Sequence, residues 1–229
     1  MRRMTTRSLG GTLDSLNEAW FFNRPLPRAQ GVAAARRISD RQGLDGSYAG
    51  TFAPLSADFL DGIRVFTGER VRSRAAVAHI LGEEACRALI LLDAPLGRVR
   101  TALSRASDGL LQRLHAGENH PSSRSGMYCC GICSVSLWRH LAAGGLHGSQ
   151  WRLEAGLKTL KAHRLGDGRW RRFPYWYTLL VLNEIDLPPA RGELRYAAPV
   201  CERFLKRPNQ SSTYAVRHRV LAERTLEKC

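Results

Sequence analysis

The chain lacks any long apolar run. Its 229 residues contain no segment close to the roughly 18 uninterrupted apolar residues of a membrane-spanning helix. The residues after Met1 are charged or hydroxylated, without the apolar stretch of a signal peptide. We therefore expect a cytoplasmic protein with no membrane span. Because 44% of its residues are apolar, the chain can bury a substantial core.

Lysine is scarce, since only four of the 35 basic residues are lysine. The net charge of +15 would suit nucleic acid, because a basic surface releases counterions from phosphates. The arginines, however, are spread along most predicted helices, often beside Glu or Asp. They form neither a basic tail nor a recognised reading motif. We do not expect a nucleic-acid partner.

Strand patterns are also missing, because no stretch combines sustained alternation with β-branched residues. Helical patterns cover most of the chain instead. The predicted helices span residues 13–22, 28–42, 56–67, 73–92, 99–115, 129–143, 150–164, 174–185, 193–206 and 213–228. The sequence predicts a single all-α domain over residues 1–229, with the polar loop 117–126 as the candidate subdivision.

Two stretches of the chain are nearly the same, residues 41–48 (RQGLDGSY) and residues 163–170 (HRLGDGRW). Each ends a helical pattern and leads through Phe and Pro toward the next helix. Gly after Asp can adopt positive φ, Asp can bond nearby amides, and the aromatic residue two positions later folds over the hairpin. A motif that recurs in one context predicts an array of helical hairpins.

These two segments resemble the glutamine-to-tryptophan repeats, of Q-x-x-D-G-S-W type, of squalene and terpene cyclases. Tyr48 replaces Trp in the first copy, and the second copy lacks the Gln. With residues 173–180, the second copy resembles the wider prenyltransferase and squalene-cyclase repeat superfamily. The resemblance implies an α/α toroid, partial or irregular, whose helical hairpins surround a central cavity. It also implies a transferase or cyclase-like enzyme that binds a lipophilic small molecule or a peptide there.

The acidic motifs of cyclases are absent. The chain has no D-x-D-D cluster to protonate an alkene and no Asp-rich motif to hold magnesium and diphosphate. The nearest approach is Asp58 with Asp61, whose spacing is typical of a solvated helix face. Squalene-type cyclisation is therefore not expected.

Cysteines carry the strongest chemical signal. Six cysteines without an export signal are typical of thiols or metal ligands rather than of a disulfide framework. Cys129, Cys130 and Cys133 follow a Gly-bearing loop at the start of a predicted helix, where amides and the helix dipole stabilise thiolate. Their spacing suits a metal clip or a dithiol couple, and plain core packing is the alternative.

Zinc is the candidate cofactor at these cysteines. His163 is the predicted fourth ligand, with His120, His140 and Cys201 as alternatives. The superfamily resemblance points the same way, because protein prenyltransferases and lanthionine cyclases bind a catalytic zinc through Cys and His. Their flanking motifs are not matched, so no ligand is transferred from them.

Two further groups are candidates for function. His79, Glu83 and Cys86 share one stripe of a predicted helix, and His79 with Glu83 is the predicted catalytic acid–base pair. A hydrogen bond that only orients the helix is the alternative. The predicted substrate-binding residues are aromatic: Trp170, Phe173, Tyr175, Trp176 and Tyr177. Consecutive aromatics on a helix cannot all face one way, so at least one of them packs in the core.

Three functions remain open from the sequence. The first is an enzyme-like toroid with a lipophilic or peptide substrate in its cavity. The second is a non-catalytic helical-repeat module that binds a partner. The third is a zinc- or thiol-dependent protein centred on Cys129, Cys130 and Cys133.

Overall fold

A computed structural model describes residues 8–118, 126–208 and 211–229. The chain is mostly helical, with 66% helix and 4% strand, which confirms the all-α prediction. The toroid arrangement stays a prediction. Within the described ranges, no helix is both long and apolar enough to cross a membrane. Most of the polar loop 117–126 lies outside the described residues, since residues 119–125 are not among them.

The described residues group into two compact units. Unit 1 takes in residues 8–66, 70–118 and 143–147, and unit 2 takes in residues 67–69, 126–142, 148–208 and 211–229. Unit 1 contains α1 (Leu9–Phe21), α2 (Arg28–Ser39), α3 (Ser56–Leu60), β1 (Ile63–Arg64), β2 (Arg70–Val71), α4 (Arg74–Leu92) and α5 (Gly97–Glu118). Unit 2 contains α6 (Gly131–Ala142), α7 (Ser149–Ala162), α8 (Tyr175–Glu184), α9 (Pro188–Leu205) and α10 (Thr213–Glu227).

Local sequence explains several helix ends. The Ser8 hydroxyl accepts the Gly11 amide at the start of α1, and the Ser212 hydroxyl accepts the Ala215 amide at the start of α10. Pro174 directly precedes α8. Proline is tolerated there because the amide hydrogen that it lacks would have no acceptor within the helix. The α9 helix begins at Pro188, five residues before the predicted start, and again places proline in a first turn.

The predicted helix over residues 56–67 is wrong beyond Leu60. The chain instead turns into a short antiparallel pair in which Ile63 faces Val71. Gly62 permits this turn because its φ is +67° and a Cβ there would lie 2.4 Å from the Val71 carbonyl oxygen. The backbone requirement at Gly62 therefore overrides the helical pattern.

The two units share three helix contacts, although α2 also packs on α4 in unit 1 and α6 also packs on α7 in unit 2. In unit 1, α1 packs on α4, α2 packs on α5, and α4 packs on α5. In unit 2 the corresponding contacts join α6 with α8, α7 with α9, and α8 with α9. The turn motif connects the second and third helix of each set, apart from the inserted α3, β1 and β2 in unit 1. The duplicated turn thus lies in four helices of each unit that share three of their contacts, and α10 packs on α8 and α9 in unit 2.

A buried polar link joins the first and third helix of each set. In unit 1, Asn17 of α1 donates to Glu84 of α4 at 3.2 Å and accepts from Arg87 at 2.8 Å. In unit 2, Arg139 of α6 donates twice to Glu184 of α8, at 2.9 and 2.7 Å. Such charge-assisted bonds fix orientation as well as separation. The same helix pair is therefore held by different residues in the two units.

Backbone pairing shows how the two turns correspond. In the first turn an isolated bridge joins Gln42 to Phe52, and in the second it joins Arg164 to Trp170. A backbone hydrogen bond flanks each bridge in the same way. The Ala53 amide donates to the Arg41 carbonyl in the first turn, and the Arg171 amide donates to the His163 carbonyl in the second. Trp170 therefore corresponds to Phe52, whereas the sequence comparison had aligned it with Tyr48. The first turn simply has a longer loop, and both turn glycines after Asp have positive φ as predicted.

The second turn is anchored to α9 through Glu193. This carboxylate is 2% exposed, accepts the Trp170 indole N–H at 2.9 Å and accepts two bonds from Arg164, at 3.0 and 2.9 Å. A buried carboxylate is tolerated because every one of these donors compensates its lost hydration. The indole and the guanidinium are thereby fixed in position by one side chain.

We expect Glu193→Ala to lower the free energy of unfolding by about 3 kcal/mol, because the buried indole N–H and the Arg164 guanidinium lose their acceptor. Glu202→Ala is the matched control, because Glu202 is exposed on the same helix. That control is expected to change stability by less than about 0.5 kcal/mol. Urea unfolding followed by circular dichroism measures both. Equal effects of the two variants would contradict the anchoring role.

Asp58 caps a helix rather than facing solvent, which corrects the prediction for the Asp58 and Asp61 pair. Its carboxylate is 2% exposed and accepts three backbone amides, from Leu9 at 3.0 Å, Gly10 at 3.0 Å and Leu55 at 2.8 Å. Two of these amides begin α1, where an anion is favoured by the helix dipole. Asp58 therefore has a structural role in unit 1.

Replacing Asp58 with Ala is expected to lower the melting temperature by roughly 8 °C, since three buried amides lose a charged acceptor. Asp61→Ala provides the control, because Asp61 is an exposed carboxylate three residues away. Thermal unfolding of both variants tests the difference. A melting temperature unchanged in Asp58→Ala would refute the capping role.

Candidate functional site

The cysteine cluster of unit 2 lies at the start of α6. The helix begins at Gly131, two residues later than predicted, and Cys129 precedes it with a φ of +66°. Cys129 and Cys133 therefore do not share a helix face as an i,i+4 pair. Cys130 instead immediately precedes the first helical residue, the position from which a side chain can reach the free amides of the first turn.

Ser134 holds the segment before α6 in place. Its Oγ accepts the Tyr128 amide at 2.8 Å and lies 2.8 Å from the Cys130 carbonyl oxygen. The Cys130 amide in turn donates to the Tyr128 carbonyl at 2.9 Å. These bonds fix the backbone on both sides of Cys129. The role of Ser134 was not predicted, although its position four residues after Cys130 suits a serine that bonds back to a helix start.

Close backbone contacts fix this segment against the rest of unit 2. A Cβ on Gly131 would lie 1.9 Å from the Arg172 carbonyl oxygen, and one on Gly126 would lie 2.2 Å from the Ala155 carbonyl oxygen. Further along α6, the Trp138 ring stacks on Phe173 with centroids 5.4 Å apart. Because Arg172 and Phe173 follow the second turn motif, that turn positions the start of α6.

The three sulfurs converge at this helix start. Those of Cys129 and Cys133 lie within 4.8 Å of each other, and the Cys130 sulfur hydrogen-bonds both. Their exposure differs, since Cys129 is exposed, Cys130 is half-buried and Cys133 is buried. We call this group the thiol centre. Three sulfurs that share hydrogen bonds can hold a soft metal ion, and the half-buried one can act as a nucleophile.

Hydrogen bonds set the protonation of the thiol centre. The Cys133 thiol donates to Cys130 and, with the amides of Cys133 and Ile132, lowers the pKa of Cys130 to about 5 against the opposing effect of burial. The same bond to Cys130, together with burial, raises the pKa of Cys133 far above its usual value. In the metal-free protein, Cys130 is therefore a thiolate at neutral pH and Cys133 remains a thiol.

The predicted fourth ligand, His163, is held elsewhere in unit 2. Its Nδ1 lies 2.9 Å from the Thr159 carbonyl oxygen, and its ring meets the edge of Phe173. In the described part of unit 2, no ring nitrogen of His163 or His140 lies within 4.8 Å of both the Cys129 and the Cys133 sulfur. The same holds for the Cys201 sulfur. His120 lies outside the described residues.

The predicted catalytic pair lies in the interior of unit 1. His79 Nε2 and Glu83 Oε1 are 3.8 Å apart on α4, with side chains 2% and 1% exposed. The Tyr48 ring, from the first turn, stacks on His79 with centroids 4.2 Å apart. Burial lowers the pKa of His79, with Arg113 adding to the effect and Glu83 opposing it. The contact with Tyr48 was not predicted, because it joins residues far apart in the chain.

The predicted substrate-binding aromatics are divided between core and partly exposed positions. Trp170, Phe173 and Tyr177 are buried in unit 2, whereas Tyr175 and Trp176 are half-buried. The Trp176 ring stacks on His218 with centroids 4.3 Å apart, and the Tyr175 hydroxyl lies 3.3 Å from the Cys201 sulfur. A role in substrate binding stays a prediction for all five residues.

Compared with protein families, curated proteins and solved structures, the chain matches none. The resemblance to the prenyltransferase and squalene-cyclase repeats thus stays a prediction that rests on the two turn segments. The geometry of the thiol centre carries the functional argument instead.

In metal-free protein, we expect the alkylation rate of Cys130 to stay high on acidification until the pH falls through about 5. The rate then drops because the thiolate reacts and the thiol does not. Cys133→Ala removes the donated hydrogen bond and is expected to move this midpoint up, toward the ordinary cysteine value of about 8.5. Iodoacetamide labelling across a pH series, quantified at each cysteine by mass spectrometry, measures both midpoints. A wild-type Cys130 midpoint in the ordinary range would contradict the assignment.

Proposed function

We propose that the protein is a zinc-dependent thiol protein in which Cys129, Cys130 and Cys133 supply three zinc ligands. The observation that carries this proposal is that the sulfurs of Cys129 and Cys133 lie within 4.8 Å of each other at the start of α6, while Cys130 shares hydrogen bonds with both. A dithiol couple would need only two of them. A metal ion uses all three.

The spacing of the sulfurs fits such a site. Zinc–sulfur bonds of about 2.3 Å in a tetrahedral arrangement place two sulfurs about 3.8 Å apart. Cys129 and Cys133, whose sulfurs lie within 4.8 Å of each other, need only a small adjustment to reach that spacing. Zinc would replace the protons that the thiols share, so binding releases protons and weakens on acidification.

The surroundings of Cys130 support the same role. The amides of Ile132 and Cys133 point at its sulfur and stabilise the charge that a metal-bound thiolate keeps. Ser134 fixes the backbone of the preceding residues, so the sulfurs are held without the metal. When bound, zinc would lower the pKa of a thiol or water in its remaining coordination position.

Metal content tests the proposal directly. Protein purified without chelator is expected to carry one zinc per chain, and Cys129→Ser, Cys130→Ser and Cys133→Ser are each expected to weaken zinc affinity on the order of 100-fold. Cys229→Ser is the control, since Cys229 is an exposed cysteine elsewhere in unit 2. Cobalt substitution adds a second readout, because thiolate-to-cobalt absorption grows with the number of sulfur ligands. Folded wild-type protein without zinc and without this absorption would overturn the proposal.

The fourth ligand is found by the same assay. The chain has seven histidines, and substituting each of six in turn with Ala, and His163 together with Cys201 in a seventh variant, identifies a side chain whose loss weakens zinc binding. If all seven variants bind normally, the fourth ligand is water or a substrate, as in sites where zinc is catalytic. That result would favour the transferase or cyclase-like enzyme with a lipophilic or peptide substrate implied by the superfamily resemblance.

A dithiol couple is the second candidate function, favoured by the different environments of Cys130 and Cys133. Cys130 is a half-buried thiolate and Cys133 is a buried thiol three residues further along. Such a pair can reduce a substrate disulfide to two thiols while forming its own disulfide, a transfer of two electrons. Cys129→Ser separates the two functions, because it removes a zinc ligand and leaves this pair intact.

A further inference from the structure

A second pair of cysteines lies in unit 2, where α10 packs along α9. Cys201 belongs to α9 and is fully buried, whereas Cys229 follows α10 and is exposed. Neither is part of the thiol centre. The two cysteines are 28 positions apart in the chain. In the fold both contact the same residue of α10.

That shared residue is Thr225. The Cys229 sulfur donates to the Thr225 carbonyl oxygen at 3.1 Å, and the Cys201 sulfur hydrogen-bonds the Thr225 side chain. The Asn183 side-chain amide donates to the Thr225 hydroxyl at 2.9 Å, which fixes the orientation of Thr225 between the two sulfurs. The two thiols are also close enough for the charge of one to act on the other.

Their exposures assign different roles in oxidation. Cys229 is accessible to a reagent in solution; burial and the charge of Glu202 raise the pKa of its thiol, and the positive charge of Arg195 partly opposes them. Cys201 is inaccessible, and its sulfur lies 3.3 Å from the Tyr175 hydroxyl. A thiol in this position reacts with a neighbouring sulfur inside the fold rather than with a bulky oxidant.

We propose that Cys201 and Cys229 form an intramolecular disulfide when the protein meets a small-molecule disulfide of the glutathione class. This modification site goes beyond the proposed zinc function and does not depend on it. The bond would join α9 to the end of α10.

The thiol–disulfide exchange has two steps. The Cys229 thiolate attacks one sulfur of oxidised glutathione, forms a mixed disulfide and expels one glutathione thiolate, which takes up a proton from solvent. The Cys201 thiol then loses its proton to solvent and attacks the Cys229 sulfur, which expels the second glutathione. Two protein thiols are oxidised, and one glutathione disulfide is reduced to two thiols.

Oxidation in glutathione buffers tests the site in the full chain. Peptide mapping is expected to find Cys201 linked to Cys229 within a monomer, and the melting temperature is expected to rise by about 5 °C and return on reduction, because the bond restricts the unfolded chain. Cys129→Ser serves as the matched control, since it removes an exposed cysteine of the same unit and leaves this pair intact.

The two single variants give different expected products. In Cys201→Ser, Cys229 is expected to remain as a stable mixed disulfide with glutathione. In Cys229→Ser, which changes only an exposed side chain, Cys201 is expected to stay a free thiol. Wild-type protein that accumulates the mixed disulfide at Cys229 while Cys201 stays free would overturn the proposal. Zinc content measured on the same samples reports the thiol centre separately, so failure of one proposal is distinguishable from failure of the other.

Discussion

The thiol centre depends on how closely the first residue of α6 approaches the second turn. Gly131 lies so near the Arg172 carbonyl oxygen that no side chain fits between them. This contact fixes where α6 begins, and the start of the helix determines which amides point at the Cys130 sulfur. Ser134 completes the constraint by bonding the residues before the helix. The chemistry at three sulfurs therefore follows from one backbone contact and one serine.

The duplicated turn has the same backbone pairing in both units but different anchors. Glu193 accepts the indole of Trp170 in unit 2, whereas the Arg41 guanidinium of unit 1 donates to the carbonyls of Ala53 and Pro54. In both turns a charged side chain pairs a polar group of the interior, which is an indole N–H in one and backbone carbonyls in the other. This pairing stabilises the turn because an unpaired polar group in the interior is costly. Three helix contacts and the pairing of the turn are thus common to the two units, while the residues that hold the turn differ.

The thiol centre and the pair of Cys201 and Cys229 in unit 2 differ in what their surroundings stabilise. Amides and a thiol donor favour the charged form of Cys130, which suits metal binding or nucleophilic attack. Cys201 lacks such amides, and burial keeps it a thiol that only a neighbouring sulfur can reach. Identical side chains consequently take different chemical roles, since the local hydrogen bonds and the accessibility differ.

The sequence by itself determined the helical class and the positive φ of the two turn glycines, because these follow from periodicity and local backbone preference. It did not determine the hairpin after Leu60, the capping by Asp58 or the contact of Tyr48 with His79. Nor did it show that His163 Nδ1 lies 2.9 Å from the Thr159 carbonyl oxygen. Only the tertiary structure decided these points, because each depends on groups distant in the chain or on competition for a hydrogen bond that spacing alone cannot reveal.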